Sequence, residues 1–215
     1  MCTRKQLLHG IELLQLDITD SALDKLLRYC QELQKWSKKI NLIARETSTE
    51  DIIEKHFLDS LLLLPLLHRY DRVNARLLDV GSGAGFPGLV VATALPELSV
   101  TLLEPRQKRT TFLRHIVRTL ALDNVHVREE RLEPNQKLSE HFTFITSRAV
   151  AAPSDFLALL AGTAQPETFV ILMQAEDDKQ EFLAESPSWK LVEALRFNLP
   201  FSGHPRTLTT VQQHH

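Results

Sequence analysis

The stretch Leu-Leu-Asp-Val-Gly-Ser-Gly-Ala-Gly-Phe-Pro-Gly at residues 77–88 constrains the fold more than any other part of this chain. A short apolar run ends in a cluster of glycines, and the apolar segment 89–95 follows, which is the order of a strand, a tight turn and a helix. Glycine is needed where the backbone takes a positive φ or where a ligand approaches more closely than a Cβ allows. Because a helix start also offers unpaired N–H groups, the stretch predicts a nucleotide-like ligand at the carboxyl edge of a parallel sheet.

The spacing of the glycines indicates which nucleotide this turn binds. The dinucleotide fingerprint G-x-G-x-x-G, started at Gly81, requires a glycine where Phe86 stands. The fingerprint does match from Gly83, through Gly85 and Gly88, but that register places two extra residues between the strand and the first glycine. Counted from the strand end the pattern is G-x-G-x-G, which suits S-adenosylmethionine. A nicotinamide-dependent oxidoreductase that uses the shifted register is the alternative.

An acidic residue at the end of the next strand supports a nucleoside ligand. Residues 100–103 predict that strand, and Glu104 ends it about 20 residues after the glycines. A carboxylate there accepts hydrogen bonds from both ribose hydroxyls and repels a 2′-phosphate. The alternative is that the glycines only make a tight turn and that Glu104 is a solvated strand end.

Hydrophobic periodicity divides the chain into two parts. Residues 1–70 predict helices, and we interpret them as an N-terminal helical extension. Within residues 71–215, strands are predicted at 76–80, 100–103, 125–127, 142–146, 168–173, 190–198 and 207–211, and helices at 108–122, 155–160 and 177–185. The alternation predicts a parallel sheet covered on both faces, and the short turn at 202–205 predicts an antiparallel edge. The predicted fold is therefore α/β, a Rossmann-like S-adenosylmethionine-dependent methyltransferase fold with a mostly parallel seven-stranded sheet and an antiparallel edge strand.

Composition limits the partners and the compartment. The chain has 215 residues and a net charge of −2, so nucleic acid would bind a local basic patch rather than a global field. We expect Cys2 and Cys30, which lack metal-ligand spacing, to be buried free thiols in a reducing compartment. No secretory signal is evident, and the longest apolar run, 61–67, is too short to span a bilayer. We expect a soluble, cytoplasmic monomer with no membrane partner and no metal.

Two polar clusters interrupt the helical extension. His56 and Ser60 are four residues apart and share a helix face. Such a pair could bind metal or catalyse, but no third ligand is nearby, so we expect the two side chains to hydrogen-bond each other and the glycine turn. Lys38, Lys39 and Arg45 either form a solvated helix end or extend an RNA-binding patch.

Several separate motifs resemble the bacterial RsmG (GidB, glucose-inhibited division protein B) family. Residues 78–88 are similar to its first motif, Ser147-Arg148-Ala149 to its signature after the fourth strand, and residues 35–42 and 56–60 to its N-terminal helical motifs. The resemblance spans about residues 20–210. It implies methylation of a guanine N7 in the decoding region of 16S small-subunit ribosomal RNA. S-adenosylmethionine would be the methyl donor, and naked RNA or the assembling small subunit the partner.

The resemblance also implies which residues form the site. The implied cofactor-binding residues are Gly81, Ser82, Gly83, Gly85, Phe86, Glu104, Leu132, Glu133 and Arg148, with Glu104 on the ribose, Leu132 and Glu133 on the adenine side and Arg148 at the pocket mouth. The cations that resemble the family's RNA-facing ones are Lys108, Arg109, Arg131 and Arg206. One departure is Gln174-Ala175, where the family usually has Lys-Gly, which removes a charge beside the expected target.

The residues also restrict the kind of methyl transfer. Guanine N7 has a lone pair and no proton, so its methylation needs no general base. A cytosine-C5 enzyme needs a cysteine near the fourth or fifth strand, but both cysteines of this chain lie in the predicted N-terminal helices. Enzymes that act on exocyclic amines often carry the motif Asn/Asp-Pro-Pro-aromatic after the fourth strand, where this chain has Thr-Ser-Arg-Ala at residues 146–149. Arg148, the expected catalytic residue, could donate to guanine O6, to a phosphate or to the methionine carboxylate, or form a structural ion pair. Glu133 is expected to stabilise the cationic product.

Two further alternatives remain open. A non-catalytic or differently targeted S-adenosylmethionine-binding homologue would bind the cofactor without this methyl transfer, and Gln174-Ala175 is the feature that favours it. A small-molecule methyltransferase is the other, although the helical extension and the cationic helix at 108–122 favour a large acidic substrate.

Overall fold

The computed structural model describes residues 2–44, 46–70, 73–148, 151–175 and 181–214. It contains a seven-stranded sheet with the strand order β3-β2-β1-β4-β5-β7-β6. The strands are β1 Arg76–Val80, β2 Ser99–Leu103, β3 Val125–Arg128, β4 Phe144–Ser147, β5 Phe169–Gln174, β6 Trp189–Asn198 and β7 Pro205–Gln213. Strands β1 to β5 pair in parallel, and β7 lies antiparallel between β5 and β6. This sheet confirms the predicted fold class.

Helices precede the sheet in the first part of the chain and alternate with its strands in the second. The first group is α1 Arg4–Leu13, α2 Asp20–Ser37, α3 Thr49–Ile52, a π-helix at Ile53–Leu58, α4 Asp59–Leu61 and α5 Leu64–Arg69. The second group is α6 Gly88–Ala94, α7 Gln107–Leu120, α8 Pro153–Leu160 and a 3-10 turn at Glu181–Leu183. Since α3, the π-helix and α4 follow one another without a gap, residues 49–61 form one continuous helical segment.

The strand order reverses between β1 and β4. From β1 the chain moves outward to β2 and β3, and it then returns to β4 on the other side of β1. In such a sheet the connections on the two sides cover opposite faces, which leaves a crevice at the carboxyl ends of the two central strands. The glycine turn follows β1 directly and therefore lies at this crevice.

Hydrophobic side chains cover both faces of the sheet. One cluster joins the N-terminal helices, α6 and α7 to sheet residues such as Leu77 and Val100. The other joins α8 and the 3-10 turn to residues such as Leu78 and Val170. Helix α2 packs directly on α6 and α7. The division into residues 1–70 and 71–215 stays a prediction, but the two parts share one hydrophobic core.

The two cysteines are joined rather than free. Cys2 precedes α1 and Cys30 lies in α2, and they form a disulfide with their Cα atoms 6.3 Å apart. Both are buried as predicted, but the prediction of free thiols is wrong. Helix α1 packs against α2, with Leu7 and Ile11 in the same cluster as Cys30, and this packing joins two cysteines that are 28 positions apart.

Some predictions fall outside the described residues. Arg45 of the predicted basic patch, Ala149 of the signature and residues 176–180 of the predicted helix 177–185 belong to this group. In the described remainder of that helix, residues 181–185, the structure has a 3-10 turn at Glu181–Leu183. None of the helices in the described ranges is long and apolar enough to cross a membrane.

Candidate active site

The turn after β1 combines three glycines of positive φ with a fourth in close packing. Gly81, Gly83 and Gly85 have φ angles of 71°, 59° and 97°, which residues with a Cβ rarely adopt. Gly88 at the start of α6 donates its N–H to Oδ2 of Asp79 over 3.0 Å, and a Cβ there would lie 2.7 Å from the same oxygen. Helix α6 therefore begins directly against the end of β1, and this contact holds the turn in shape.

Two buried polar side chains support the turn from behind. The Tyr29 hydroxyl donates a hydrogen bond to the Ala84 carbonyl, and burial raises the pKa of Tyr29 well above its ordinary value. Burial also raises the pKa of Asp79 to about 6, although hydrogen bonds within the turn lower it. The Oδ1 atom of Asp79 has no hydrogen-bond partner among the described residues. A Cβ on Gly85 would lie 2.5 Å from the Tyr29 hydroxyl, so Gly85 faces α2.

The crevice opens into a cavity of about 600 Å³, a volume within the range of small-molecule sites. The glycine turn, the end of β2, the start of α7 and the loop after β3 contribute Gly81, Ser82, Gly83, Phe86, Leu103, Glu104, Arg109, Arg131, Leu132 and Glu133. Arg148 lines it after β4, and the N-terminal part contributes Leu42, Ile43 and His56. The structure thus brings together every predicted cofactor-binding residue except Gly85.

The carboxylate of Glu104 is held in place at the cavity wall. Its Oε2 accepts a hydrogen bond from the Gly83 N–H over 3.0 Å, and its Oε1 accepts one from the Arg106 N–H over 2.9 Å. The Arg109 guanidinium lies 3.6 Å from Oε2. Because each carboxylate oxygen has a second lone-pair site, Glu104 can still accept hydrogen bonds from two neighbouring hydroxyls.

The residues around Glu104 fit the adenosine end of S-adenosylmethionine. Leu103 and Leu132 are buried side chains of the cavity wall and offer an apolar surface to a purine ring. Glu133 is an exposed part of the same wall, and its N–H donates to Oε1 of Gln136 over 2.9 Å. The cavity therefore places three features side by side: a carboxylate suited to the ribose, apolar side chains suited to the base, and a turn whose glycines have no side chains.

Arg148 joins the end of β4 to the N-terminal helical segment. Its guanidinium donates to the Lys55 carbonyl over 2.9 Å, to Nδ1 of His56 over 2.9 Å and to Oδ2 of Asp59 over 3.4 Å. The guanidinium also lies over the Phe86 ring, 5.0 Å from its centroid. All three hydrogen-bond partners belong to the π-helix or to the first residue after it, and π-helices are frequent at functional sites.

His56 lies between this arginine and the glycine turn. Its ring stacks on Phe86 with the centroids 5.0 Å apart. Burial, followed by the positive charge of Arg148, lowers the pKa of His56 to about 3. The Ser60 hydroxyl donates to the His56 carbonyl over 2.5 Å, so the predicted hydrogen bond between the two side chains is wrong. His56 contacts the glycine turn through its stack on Phe86, and the predicted hydrogen bond to the turn is not formed among the described residues.

The four predicted RNA-facing cations occupy different places. Arg109 and Arg131 line the cavity, and Lys108 is exposed on α7 outside the cavity lining. Arg206, near the start of β7, donates from Nε to Oδ1 of Asp59 over 2.8 Å. Two of the four therefore border the cavity, one lies on the surface and one belongs to the ion-pair cluster around Arg148.

The π-helix is also joined to the last two strands. Buried Glu54 accepts hydrogen bonds from the N–H groups of Phe201 and Ser202 in the β6–β7 turn, over 2.6 and 2.7 Å. Sequence analysis missed the roles of Glu54 and Asp59. The available signal was an acidic residue on an otherwise apolar helix, since a buried carboxylate requires a partner.

Gln174 lies outside the lining of this cavity. It ends β5, accepts a hydrogen bond from the Thr209 hydroxyl over 2.8 Å, and lines a separate small cavity with Ser147 and Pro153. The departure from Lys-Gly therefore changes a neighbouring position and leaves the wall around Glu104 unaltered.

Comparison with known sequences identifies close relatives. The family model for rRNA small subunit methyltransferase G, also called GidB, matches residues 22–209. A protein of Desulfotalea psychrophila named ribosomal RNA small subunit methyltransferase G is 40% identical over 215 residues, covering 96% of this chain and 97% of the relative. A protein of the same name from Chromobacterium violaceum is 42% identical over 154 residues, covering 72% and 71%. These matches confirm the resemblance carried by the motifs and decide against the nicotinamide-dependent alternative.

Comparison with solved structures finds the same fold in a protein solved with S-adenosylmethionine and in a methylase. A mutant of MtNAS in complex with S-adenosylmethionine superposes with a TM-score of 0.59 at 16% identity, covering 88% of this chain and 74% of that one. The ribosomal protein L11 methylase of Lactobacillus delbrueckii subsp. bulgaricus superposes with a TM-score of 0.55 at 15% identity, covering 75% and 79%. At these identities the likeness concerns the fold alone.

Proposed function

This chain belongs to the rRNA small subunit methyltransferase G family, and we propose that it transfers a methyl group from S-adenosylmethionine to N7 of a guanine in the decoding region of 16S ribosomal RNA. Family membership supports the enzyme class, the cofactor and the RNA substrate. The state of His56 in the cavity supports N7 as the acceptor atom. We also propose that the protein works in the cytoplasm as a monomer, on RNA or on the assembling small subunit.

The protonation state and hydrogen bonding of His56 favour guanine N7 as the methyl acceptor. Histidine is the most frequent general base in enzymes, but Nδ1 of this ring already accepts a hydrogen bond from Arg148. With its pKa lowered to about 3, the imidazole does not take up a proton near neutral pH. An acceptor that must lose a proton gains nothing from this ring, whereas guanine N7 attacks with its own lone pair.

The protein's contribution to the reaction is alignment and electrostatics. When bound, S-adenosylmethionine would supply an electrophilic methyl group; the N7 lone pair would form the new bond to carbon as the carbon–sulfur bond breaks, and no proton would be released. Glu104 binds the ribose hydroxyls, and the glycine turn allows close approach of the backbone. Arg148 holds the π-helix and Phe86 in the cavity wall. Glu133 offsets the positive charge that develops on the methylated guanine.

Cations beside the cavity support binding of the RNA. Arg109 and Arg131 border the cavity, and Lys108 continues the positive surface along α7. Contacts between such residues and phosphates make RNA affinity fall steeply as salt rises. The target guanine must be unstacked or in a loop to reach a cavity of this kind.

The test is transfer of labelled methyl from S-adenosylmethionine to naked small-subunit RNA and to small subunits that lack the modification. We expect label on N7 of one guanine after the product base is mapped. Label on another atom, or none despite measurable cofactor binding, would overturn the proposal and favour a differently targeted or non-catalytic homologue. Comparison of the methylation rates on naked RNA and on subunits identifies which of the two is the substrate. Analytical ultracentrifugation measures the oligomeric state and so tests whether the protein is a monomer.

A further inference from the structure

One ring nitrogen of His56, Nε2, has no hydrogen-bond partner within the part of the chain that the structure describes. Nδ1 accepts from Arg148 over 2.9 Å, and the ring face stacks on Phe86. No hydrogen bond to Nε2 is formed by any residue in the described ranges. The histidine lines the same cavity as Glu104 and the glycine turn.

The hydrogen bond from Arg148 determines where the imidazole carries its proton. A guanidinium can only donate, so Nδ1 must be the acceptor and the neutral ring must be protonated at Nε2. Burial and the adjacent cation keep the ring in this neutral form, because both lower the pKa of His56. His56, a residue of the cavity lining, therefore carries a hydrogen-bond donor, Nε2–H, whose direction is fixed by the contacts of the ring with Arg148 and Phe86.

We propose that the Nε2–H of His56 donates a hydrogen bond to O6 of the target guanine and thereby selects guanine over adenine at the methylated position. This inference rests on the proposed function. Guanine presents two acceptors on one edge, N7 and O6, whereas adenine presents N7 beside the donor group N6–H₂. Since N7 is a nucleophile in both bases, recognition of the adjacent group must separate them. A fixed donor pairs with O6 and opposes the amino group.

The same geometry assigns Arg148 a positioning role. Its Nη1 is engaged by the Lys55 carbonyl and by Asp59, and its Nη2 by His56. Asp59 is in turn fixed by Arg206. The arginine therefore orients the histidine, and the histidine contacts the base.

The test uses single-turnover methyl transfer to small subunits reconstituted with RNA that carries guanosine, inosine or 2,6-diaminopurine at the methylated position. Inosine keeps O6 and lacks the 2-amino group, while 2,6-diaminopurine keeps the 2-amino group and replaces O6 by an amino group. We expect the unaltered protein to methylate guanosine and inosine at similar rates. We expect 2,6-diaminopurine to react about 10- to 100-fold more slowly, the effect of one mismatched base contact.

Two substitutions separate the donor from the ring. His56→Phe keeps an aromatic ring on Phe86 without a donor, and it should lose a similar factor on guanosine and treat the three bases alike. His56→Gln, with an amide N–H near the position of Nε2, should restore the preference. His126→Phe, at an exposed position of β3, is the matched control and should behave as the unaltered protein. Calorimetric titration with S-adenosylmethionine shows whether each variant retains the cofactor cavity.

The possible results distinguish this inference from the proposed function. Unchanged rate and preference in His56→Phe would overturn the inference and leave the methylation of guanine N7 standing. Label on an atom other than guanine N7 in the unaltered protein would overturn both. If His56→Phe fails to bind the cofactor, His56→Gln decides: a retained preference for O6 supports the inference, and a lost preference contradicts it.

Discussion

Removal of the charge of Asp59 tests whether the ion-pair cluster supports both the fold and the site. The Asp59 side chain is 7% exposed, and it lies 2.8 Å from Arg206 and 3.4 Å from Arg148, whose side chains are 16% and 19% exposed. Asp59→Asn keeps the shape and one acceptor but leaves two largely buried guanidinium groups without their anion. Loss of one partner of a buried pair costs about 3–5 kcal/mol, and the partial exposure of both arginines places our expectation at about 3 kcal/mol.

The free energy of unfolding is measured in urea by circular dichroism, with thermal melts beside it. A loss of this size corresponds to a fall in Tm of about 6–12 °C for a chain of this length. The exposed Asp123→Asn is the matched control and should change stability by less than about 0.5 kcal/mol. Because Asp59 also holds Arg148, methyl transfer should fall more than cofactor affinity. A loss below about 1 kcal/mol, the value of a surface ion pair, would refute the argument.

Glu104→Gln should weaken S-adenosylmethionine binding about tenfold, because a charged acceptor for the ribose hydroxyls is lost. Equal affinity in calorimetry would contradict the ribose role. Gly88→Ala should cost about 3 kcal/mol, since a Cβ would lie 2.7 Å from Asp79, whereas Gly203→Ala, with no atom within 4 Å, should cost about 1 kcal/mol from its positive φ. Equal urea midpoints for these two variants would speak against the packing argument. As pH rises from 4 to 7.5, the unaltered protein should lose stability, and the free energy of unfolding of Asp79→Asn should rise relative to it. Burial raises the pKa of Asp79 from 3.8 to about 6, so the folded state keeps a proton that the unfolded chain has lost. The contribution of Asp79 is full below about pH 4 and is lost as pH rises to about 6, by up to about 3 kcal/mol. A stability difference independent of pH would show that the carboxyl titrates normally.

The strands and the glycine turn could be predicted because each is marked by a pattern within a few consecutive residues. Strand β1 matches its predicted bounds of 76–80, and β5 differs from its prediction by one residue at each end. Strand β4 was predicted two residues early because Phe142 and Thr143 continue its apolar run, although pairing with β1 begins only at Phe144. In the glycine turn, the backbone conformation itself requires glycine, so the site is visible in a few consecutive residues.

The rest of the site depends on contacts that no local pattern carries. The proton position on His56 is determined by Arg148, which is 92 positions away. The disulfide depends on how α1 packs on α2, and the spacing of the two cysteines contains no sign of that packing. The family resemblance implied that Arg206 faces RNA, whereas its pairing with Asp59 follows from the position of β7 inside the sheet.

The contacts between the π-helix and the β6–β7 hairpin bear on when this protein becomes competent during its own synthesis. Glu54 precedes its partners Phe201 and Ser202 by 147 and 148 positions, and Asp59 precedes Arg206 by 147. Before the final strand is synthesised, Glu54 lacks both of these partners and Asp59 lacks Arg206, so the helix that meets Arg148 is held by fewer contacts. A nascent chain of that length therefore contains the glycine turn and Glu104 without the complete set of contacts around Arg148. We therefore expect the site to be complete only once β7 has been synthesised.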